Sequence, residues 1–323
     1  MRIPVVLSSD ERIFFSVAAV IVSMAEHAVE GTSYDVRVLC AGDVPEADRR
    51  RMCSIADRYQ NVSVACIDMK DTYAAIRKTH DYVNHVSAYR MLIPELLPEY
   101  DRALYIDTDV IVRDDLSELF ETDLDGAYIG GVVSLTNQTS RREAVAIQAE
   151  LPEMDWYVNT GVLLMDLAAI RRDGIAEKWQ ALLGKFEGSV DQHILNHVCR
   201  GRIAFLPLRY NVYLSALGLY TDGTAHVFAS PAECRAAYEN PAIFHFSLRT
   251  KPWDYYDLPF AHEWFRCFAK TPFFAPRPRK ALYPHPNPWQ ERPRRPKGLS
   301  GIAYRIWKHL DKRFGGDARI KTF

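Results

Sequence analysis

Two aspartates, Asp107 and Asp109, interrupt the apolar segment RALYIDTDVIV at residues 102–112. The segment is predicted to be one β-strand, the fourth along the chain, and in a strand residues i and i+2 point to the same side. Two buried carboxylates so close together repel each other, and a divalent cation between them removes that cost. Carboxylate oxygens suit Mg²⁺ or Mn²⁺, and one added imidazole would favour Mn²⁺. The pair therefore predicts a divalent metal site that leaves coordination positions for substrate phosphates.

Two other interpretations of the aspartate pair are open at this point. A DxD at a strand end also occurs in phosphatases of the haloacid dehalogenase type, where the first aspartate is a nucleophile. Those enzymes carry the motif near the N-terminus with a threonine after it, whereas Val110 and Ile111 follow the motif here. The other interpretation is a turn that caps a helix, a structural role better suited to Asp114 and Asp115. The metal site is the favoured interpretation.

Strand-like and helix-like segments alternate around the motif. The sequence predicts a strand at IPVVLSS, a helix over about 14–29, a strand at YDVRVLCAG, a helix over 43–59 and a strand at VSVACID. This alternation is typical of an α/β fold with a mostly parallel sheet flanked by helices. Ligands of such sheets bind at the carboxyl ends of the strands. Residues 8–10 and residues 107–109 both lie at predicted strand ends, so they should meet in one crevice.

The composition is that of a globular protein of 323 residues, 48% hydrophobic and 25% charged. Its six cysteines form no CxxC pair, which indicates reduced thiols in a cytosolic protein. No segment approaches the length of a transmembrane helix, and FFSVAAVIVSM predicts a first helix rather than a secretion signal. The compact domain is predicted to span residues 1–270.

Residues 271–323 are predicted to form a separate basic tail rich in proline and arginine. The tail carries 13 Lys or Arg and 3 Asp or Glu, whereas the rest of the chain is acidic. Within it, GIAYRIWKHLDKRF has the pattern of a basic amphipathic helix, which favours peripheral contact with the inner face of a membrane. A solvated extension and a helix packed on the body are the alternatives. Because the body is acidic, we expect no nucleic acid partner.

Seven segments, taken together, resemble those of glycosyltransferase family 8 in order and in approximate spacing. They are VVLSSDE, HVSAYRMLIPELLP, ALYIDTDVIV, WYVNTGVLLMDL, VDQHILN, RYNV and FHFSLRTKPWD, and the resemblance as a whole covers about residues 3–270. This family of retaining enzymes includes bacterial galactosyl- and glucosyltransferases, among them those that build lipopolysaccharide, and glycogenin. The resemblance implies a GT-A fold, a Rossmann-like α/β domain with a mixed sheet. It also implies Mn²⁺-dependent transfer of a hexose, glucose or galactose, from a UDP-sugar to a glycan or glycolipid acceptor.

The resemblance assigns roles to residues that bind the metal and the donor. The implied metal ligands are Asp107, Asp109 and His245, which without the family would be interpreted as a core histidine on a strand. The implied donor-binding residues are Ser8, Ser9, Asp10, Arg90, Asp107, Thr108 and Lys251. A short polar loop at residues 8–10 suits the uracil and ribose edges, although a helix cap is the structural alternative. A guanidinium and an ammonium near the diphosphate suit its charge.

The resemblance also implies a catalytic group of Asn159, Asp191 and Gln192, which would face the donor sugar. An amide is a poor nucleophile, and retention through a covalent intermediate needs a carboxylate about 5 Å from the acid. We therefore favour front-face substitution, in which the acceptor hydroxyl attacks as UDP departs. A non-catalytic protein that binds nucleotide-sugar or glycan on the same scaffold is the alternative function.

Other positions are expected to have supporting roles or to depart from the family pattern. His85 is expected near the acceptor and Asn211 behind the pocket, whereas Asp166 and Asn196 are expected to be structural. The departures are Ser134 in place of an acid that helps to bind the sugar, Leu248 in place of a glycine, and Arg12 and Ile13 in the uridine loop. Ser134 leaves the identity of the sugar open between glucose and galactose.

Overall fold

The structure is a computed structural model that describes residues 1–73, 85–135, 157–183, 190–247, 250–275 and 279–280. The strands of this part are β1 (Arg2–Ser9), β2 (Ser33–Cys40), β3 (Val62–Asp68), β4 (Arg102–Ile106), β5 (Val110–Val112), β6 (Ile129–Val133), β7 (Val158–Asp166), β8 (Ile203–Phe205), β9 (Val212–Tyr213) and β10 (Ile243–His245). The α-helices are α1 (Phe14–His27), α2 (Glu46–Cys53), α3 (Ile55–Arg58), α4 (Ile93–Leu96), α5 (Ser117–Glu121), α6 (Leu167–Arg172), α7 (Ile175–Ala181), α8 (Val190–Val198), α9 (Pro231–Glu239) and α10 (Ala261–Phe268). Short 3₁₀ helices lie at Glu11–Ile13, Ser87–Leu92, Leu208–Asn211, Leu214–Tyr220 and Thr224–Val227.

Seven of the described strands form one mixed sheet in the order β3-β2-β1-β4-β7-β6-β8. The first four run parallel, whereas β7 is antiparallel to both β4 and β6. Three shorter strands form a second sheet in the order β5-β10-β9. The predicted α/β architecture with helices against a mixed sheet is confirmed.

The first strand and the first helix form much of the core because both are apolar. All residues of β1 after Arg2 are buried, as expected for a parallel strand covered on both faces. In α1 every residue from Phe14 to Ala25 is buried, which is typical of a helix that is hydrophobic nearly all round. One core cluster contains α1 and the second sheet, and the other contains Trp179 of α7 on the opposite face of the main sheet.

The prediction of a single strand over residues 102–112 is wrong. The chain leaves the main sheet after Ile106, and β5 pairs antiparallel with β10 in the second sheet. The backbone N–H of Asp107 donates to Gly161 O at 2.8 Å, and Asp109 O accepts from Phe246 N at 2.8 Å. The two aspartates therefore lie in a bend between two sheets. Their side chains converge because of that bend and not because of the alternation of a regular strand.

The predicted crevice forms because β1 and β4 are parallel neighbours. Val6 of β1 is paired with Tyr105 of β4, so both strands end at the same edge of the sheet. Residues 8–10 and 107–109 follow at that edge. β10 completes the crevice from the second sheet, where His245 is paired with Val110, the residue after the aspartate motif.

Packing against the body continues beyond the predicted boundary at residue 270. Phe273 is 8% exposed and meets the ring of Phe14 edge to face at 5.9 Å. Further on, Lys280 N donates to Asp254 O at 2.7 Å, so the chain returns to the loop after Lys251. The predicted amphipathic helix in the tail lies outside the described residues. None of the described helices is long and apolar enough to cross a membrane.

Candidate active site

Asp107, Asp109 and His245 form a group suited to a metal ion. One donor atom from each lies within 4.8 Å of the other two. The Nε2 atom of His245 is 3.1 Å from Asp109 Oδ1 and 3.9 Å from Asp107 Oδ2. The side chains are 26%, 17% and 6% exposed for Asp107, Asp109 and His245, so a ligand can reach the aspartates from one side. Two carboxylate oxygens and one imidazole nitrogen fit a divalent ion of the Mn²⁺ or Mg²⁺ type.

A chain of hydrogen bonds orients the imidazole of His245. Its Nδ1 lies 3.1 Å from Asn211 Oδ1, and Asn211 Nδ2 donates to Asn159 Oδ1 at 2.8 Å. Gly161 N donates to the same Asn159 oxygen at 2.9 Å. Because an amide oxygen only accepts, Nδ1 carries the proton and the lone pair of Nε2 points toward the aspartates. Asn159 is thus positioned behind the metal-binding group, with Asn211 as the link.

Gly161 is required at its position by close contact. A Cβ atom built there would lie 2.5 Å from His245 Cε1 and 2.8 Å from Asp107 Oδ2. The glycine lets β7 pass directly beneath two of the three candidate metal ligands. The resemblance matched Gly161, with Asn159, to a loop near the donor sugar and acceptor, and the geometry gives a reason for the glycine.

Arg90 connects the candidate metal ligands with the predicted catalytic residues. Its Nη2 donates to Asp107 Oδ1 at 2.9 Å, its Nε lies 3.3 Å from Asp191 Oδ2, and its Nη1 donates to Thr160 O. Burial lowers the pKa of the Arg90 guanidinium, but the interactions with Tyr105, Asp107 and Asp191 outweigh it and raise that pKa. Arg90 is 3% exposed, so it lies beneath the crevice rather than on its surface. Direct contact between Arg90 and a donor stays a prediction.

The predicted catalytic residues Asp191 and Gln192 lie on α8, beside the metal-binding group. Asp191 Oδ1 accepts from Ser87 Oγ at 2.9 Å, in addition to the ion pair with Arg90. Gln192 Oε1 accepts from Thr160 N at 3.2 Å, one residue before Gly161. Both side chains are half-buried. The structure thus brings Asn159, Asp191 and Gln192 together around residues 159–161 of β7.

Lys251 contacts Asp109, whereas Arg90 contacts Asp107, the other aspartate of the candidate metal ligands. Its Nζ donates to Asp109 Oδ2 and, at 2.8 Å, to Phe246 O. Burial raises the pKa of Asp109, but the interactions with His245 and Lys251 outweigh burial, and the pKa of Asp109 falls well below its ordinary value. Asp109 is therefore ionised and able to bind a cation throughout the neutral range.

The loop after β1 offers one acceptor atom that no described residue uses. Asp10 is 1% exposed, and its Oδ2 accepts from Arg12 Nε at 3.0 Å and Nη2 at 2.6 Å. Its Oδ1 is buried without a hydrogen-bond partner among the described residues. A buried unpaired carboxylate oxygen is costly, and a ligand N–H would satisfy it. In the same loop, Ser9 Oγ donates to Asp10 O at 3.0 Å. Thr108, between the two aspartates of the motif, is also buried.

The remaining predicted residues separate into supporting and structural roles. Asp166 caps α6 by accepting from Ala169 N at 2.8 Å, and Asn196 bonds to both backbone groups of Val158, so both are structural as predicted. His85 is 7% exposed and meets Tyr89 edge to face. Ser134 is buried at the end of β6. Leu248 lies outside the described residues.

Three site residues were missed by the sequence interpretation. Arg12 was treated only as a departure from the family pattern, yet it pairs with Asp10. Thr160 holds Arg90 and Gln192 through backbone atoms, which no side-chain pattern reveals. The hydroxyl of Tyr105 donates to Asp107 Oδ1 at 2.9 Å, and the signal in the sequence was a tyrosine two residues before the aspartate motif in the same apolar segment.

The fold and the site define a class of protein, the glycosyltransferases of GT-A fold. The solved structure of the bifunctional glycosyltransferase WbbM has a TM-score of 0.70 at 24% identity and covers 84% of this chain and 50% of that chain. The structure of galactosyltransferase LgtC in complex with donor and acceptor sugar analogues has a TM-score of 0.69 at 22% identity and covers 85% of this chain and 98% of that chain. At these identities the likeness establishes the fold alone.

The family follows from the sequence. The model of glycosyl transferase family 8 matches residues 4–257, and the chain belongs to that family. Glycosyltransferase GlyF of Streptococcus pneumoniae is 28% identical over 265 residues, which are 80% of this chain and 59% of the relative. The lipopolysaccharide 1,2-glucosyltransferase of Escherichia coli strain K12 is 27% identical over 156 residues, which are 47% of this chain and 44% of the relative. The chain thus spans about half the length of these two relatives.

Proposed function

We propose that the protein is a metal-dependent retaining hexosyltransferase that moves glucose or galactose from a UDP-sugar to a glycan or glycolipid acceptor. The observation that carries the proposal is the convergence of Asp107, Asp109 and His245 on one point beside the crevice after β1. The names of two similar proteins support the choice of sugar, because one is a glucosyltransferase and the other a galactosyltransferase.

In this proposal the crevice after β1 binds the nucleotide and the metal-binding group holds the diphosphate. The unpaired Oδ1 of Asp10 accepts an N–H of the uracil, and Ser8, Ser9 and Thr108 line the ribose. Asp107, Asp109 and His245 would hold Mn²⁺, with Mg²⁺ as the second candidate. The ion would neutralise charge that develops on the departing UDP. Lys251 adds a positive charge beside Asp109 for the same purpose.

The catalytic group favours front-face substitution. Gln192 is an amide and a poor nucleophile, and Asp191 is already paired with Arg90 and Ser87. In the proposed step the bond from the anomeric carbon to the phosphate oxygen breaks while the acceptor oxygen bonds to the same face of that carbon. The proton of the acceptor hydroxyl passes to the leaving phosphate. The amide carbonyl of Gln192 stabilises positive charge on the sugar ring, and Asn159 orients a sugar hydroxyl.

The test is UDP release from a panel of UDP-sugars, measured with Mn²⁺ and with EDTA. We expect slow Mn²⁺-dependent hydrolysis of UDP-glucose or UDP-galactose, and a loss of at least 100-fold in Asp109→Asn because one metal ligand is gone. UDP binding is measured in parallel by calorimetry. Mn²⁺-dependent UDP binding without turnover, even with acceptor glycans, would favour the non-catalytic alternative. Absence of both turnover and Mn²⁺-dependent UDP binding would refute the proposal.

We further propose that the basic tail brings the enzyme to the inner face of a membrane, near lipid-linked acceptors. The support is the charge of residues 271–323 and the apolar spacing within them. Co-sedimentation with vesicles should reveal binding to anionic phospholipid and little binding to phosphatidylcholine alone. The binding should weaken at high salt, because the attraction is screened within about 10 Å at 0.1 M ionic strength. Equal recovery with both vesicle types would contradict this proposal.

A further inference from the structure

Tyr105 lies between the nucleotide loop and the metal-binding group. It is 1% exposed and is the second-to-last residue of β4. Its hydroxyl is 2.9 Å from Ser8 Oγ and 2.9 Å from Asp107 Oδ1. The guanidinium of Arg90 lies 4.2 Å from the centre of its ring. One phenol therefore contacts a residue of the nucleotide loop, a candidate metal ligand and the arginine beneath both.

Chemistry fixes the direction of the two hydrogen bonds of Tyr105. An ionised carboxylate only accepts, so the phenol donates its proton to Asp107 Oδ1. The phenol has one proton, so Ser8 must donate its own proton to the phenol oxygen. The result is a directed chain from Ser8 through Tyr105 to Asp107. The hydroxyl of Ser8 is then left only as an acceptor toward a bound nucleotide.

The same chain determines which oxygen of Asp107 can bind a metal. Oδ1 accepts two hydrogen bonds, from Tyr105 and from Arg90 Nη2. Oδ2 is the oxygen toward His245 Nε2, at 3.9 Å, and a Cβ added at Gly161 would lie 2.8 Å from it. A carboxylate held by two donors on one oxygen presents the other oxygen in a fixed direction, which is how outer hydrogen bonds orient metal ligands.

We infer that Tyr105 is a positioning residue that couples the nucleotide loop at Ser8 to the metal ligand Asp107, so that nucleotide and metal each strengthen the binding of the other. The inference rests on the proposed function, because it takes UDP and Mn²⁺ as the two ligands. A nucleotide that donates a hydrogen bond to Ser8 Oγ polarises that hydroxyl and so strengthens its donation to Tyr105. The hydrogen bond that Tyr105 donates to Asp107 Oδ1 is strengthened in turn. By linkage the effect of UDP on Mn²⁺ affinity equals the effect of Mn²⁺ on UDP affinity.

The test compares Tyr105→Phe with Tyr220→Phe. Tyr220 is 2% exposed, and among the described residues its hydroxyl has no hydrogen-bond partner, so this control also removes one buried hydroxyl. Electron paramagnetic resonance measures the Kd of Mn²⁺ with and without UDP, and calorimetry measures the Kd of UDP with and without Mn²⁺. In Tyr105→Phe we expect Mn²⁺ affinity to fall about 10- to 100-fold. The factor by which UDP improves it should also decrease. Tyr220→Phe should leave both values at the wild-type level.

A second variant, Ser8→Ala, tests the chain without touching the phenol. It should reduce the coupling between UDP and Mn²⁺, and in the Tyr105→Phe background it should reduce it no further, because the link is already cut. Unchanged Mn²⁺ affinity and coupling in Tyr105→Phe would overturn the inference and leave the proposed function intact. Additive effects of the two substitutions would also overturn it. Wild-type protein that binds neither Mn²⁺ nor UDP would overturn the inference together with the proposed function.

Discussion

Replacing Gly161 with alanine is expected to abolish metal binding while the protein stays folded. The added Cβ would lie 2.5 Å from His245 Cε1 and 2.8 Å from Asp107 Oδ2, distances that real contacts do not reach. Both of these neighbours are candidate metal ligands, so whichever side chain moves, the ligand geometry is lost. We expect Mn²⁺ affinity to fall at least about 100-fold and Mn²⁺-dependent turnover to disappear. Overpacking of this kind costs roughly 1–3 kcal/mol of stability, which a domain of this size tolerates.

The matched control for this experiment is Gly218→Ala. An added Cβ at Gly218, which lies in the 3₁₀ helix Leu214–Tyr220, meets no atom within 4 Å and so none of the candidate metal ligands. Circular dichroism and thermal unfolding establish that both variants fold, and Mn²⁺ binding is measured by electron paramagnetic resonance. If Gly161→Ala binds Mn²⁺ as tightly as Gly218→Ala does, Asp107, Asp109 and His245 do not form the metal site.

The crevice could be predicted from the sequence because it follows from the apolar pattern of two strands and from the polar residues that end each of them. The apolar runs of β1 and β4 and the polar residues that end them place residues 8–10 and 107–109 at one edge of a parallel sheet. The alternation of strands and helices likewise predicted the main sheet. These features depend on hydrophobic pattern and on neighbouring strand ends, both of which can be recognised without coordinates.

Other parts of the site depend on contacts between distant segments and could not be derived that way. His245 reaches the aspartates only because β10 pairs with β5, and the residues alone would have marked it as a core histidine. The apolar residues on both sides of Asp107 and Asp109 predicted one strand, but the chain changes sheet there, and the hydrogen bonds that hold the bend come from Gly161 and Phe246. The link from Asn211 to His245 joins the end of a 3₁₀ helix to the end of β10 and has no spacing pattern.

Replacing Arg90 with glutamine is expected to destabilise the protein strongly in EDTA and much less with Mn²⁺. Arg90 is 3% exposed and is the cation paired with both Asp107 and Asp191. Removing one partner from a buried charge pair costs roughly 3–5 kcal/mol, because it leaves uncompensated charge. We expect a loss of that size in the free energy of unfolding, measured by urea denaturation in EDTA.

Two opposing effects decide what Mn²⁺ does to the Arg90→Gln variant. Asp107 loses one of the two donors on Oδ1, which weakens metal binding by about 1.4–2.7 kcal/mol if the loss is 10- to 100-fold. The repulsion between the guanidinium and a divalent ion on the same carboxylate would also disappear, and charges of one and two repel by more than about 4 kcal/mol at separations below about 8 Å and an effective dielectric constant of 20. The second effect is larger. Mn²⁺ should therefore stabilise Arg90→Gln more than it stabilises the wild type, although turnover falls because Asp107 and Asp191 are no longer aligned.

Arg113→Gln is the control that distinguishes the Mn²⁺-dependent stability change of Arg90→Gln from the ordinary loss of an ion-paired arginine. Arg113 is 16% exposed, its Nε lies 2.7 Å from Glu263 Oε2, and its guanidinium covers the ring of Phe260 at 4.2 Å. Arg113 contacts none of the candidate metal ligands, so Arg113→Gln should lower the free energy of unfolding by the same amount in EDTA and in Mn²⁺. If Arg90→Gln lowers the free energy of unfolding equally in EDTA and in Mn²⁺, the ion and Arg90 do not act on the same carboxylate. A smaller cost in Mn²⁺ for Arg90→Gln alone would show that Asp107 is held by a permanent cation on one oxygen and by the metal on the other.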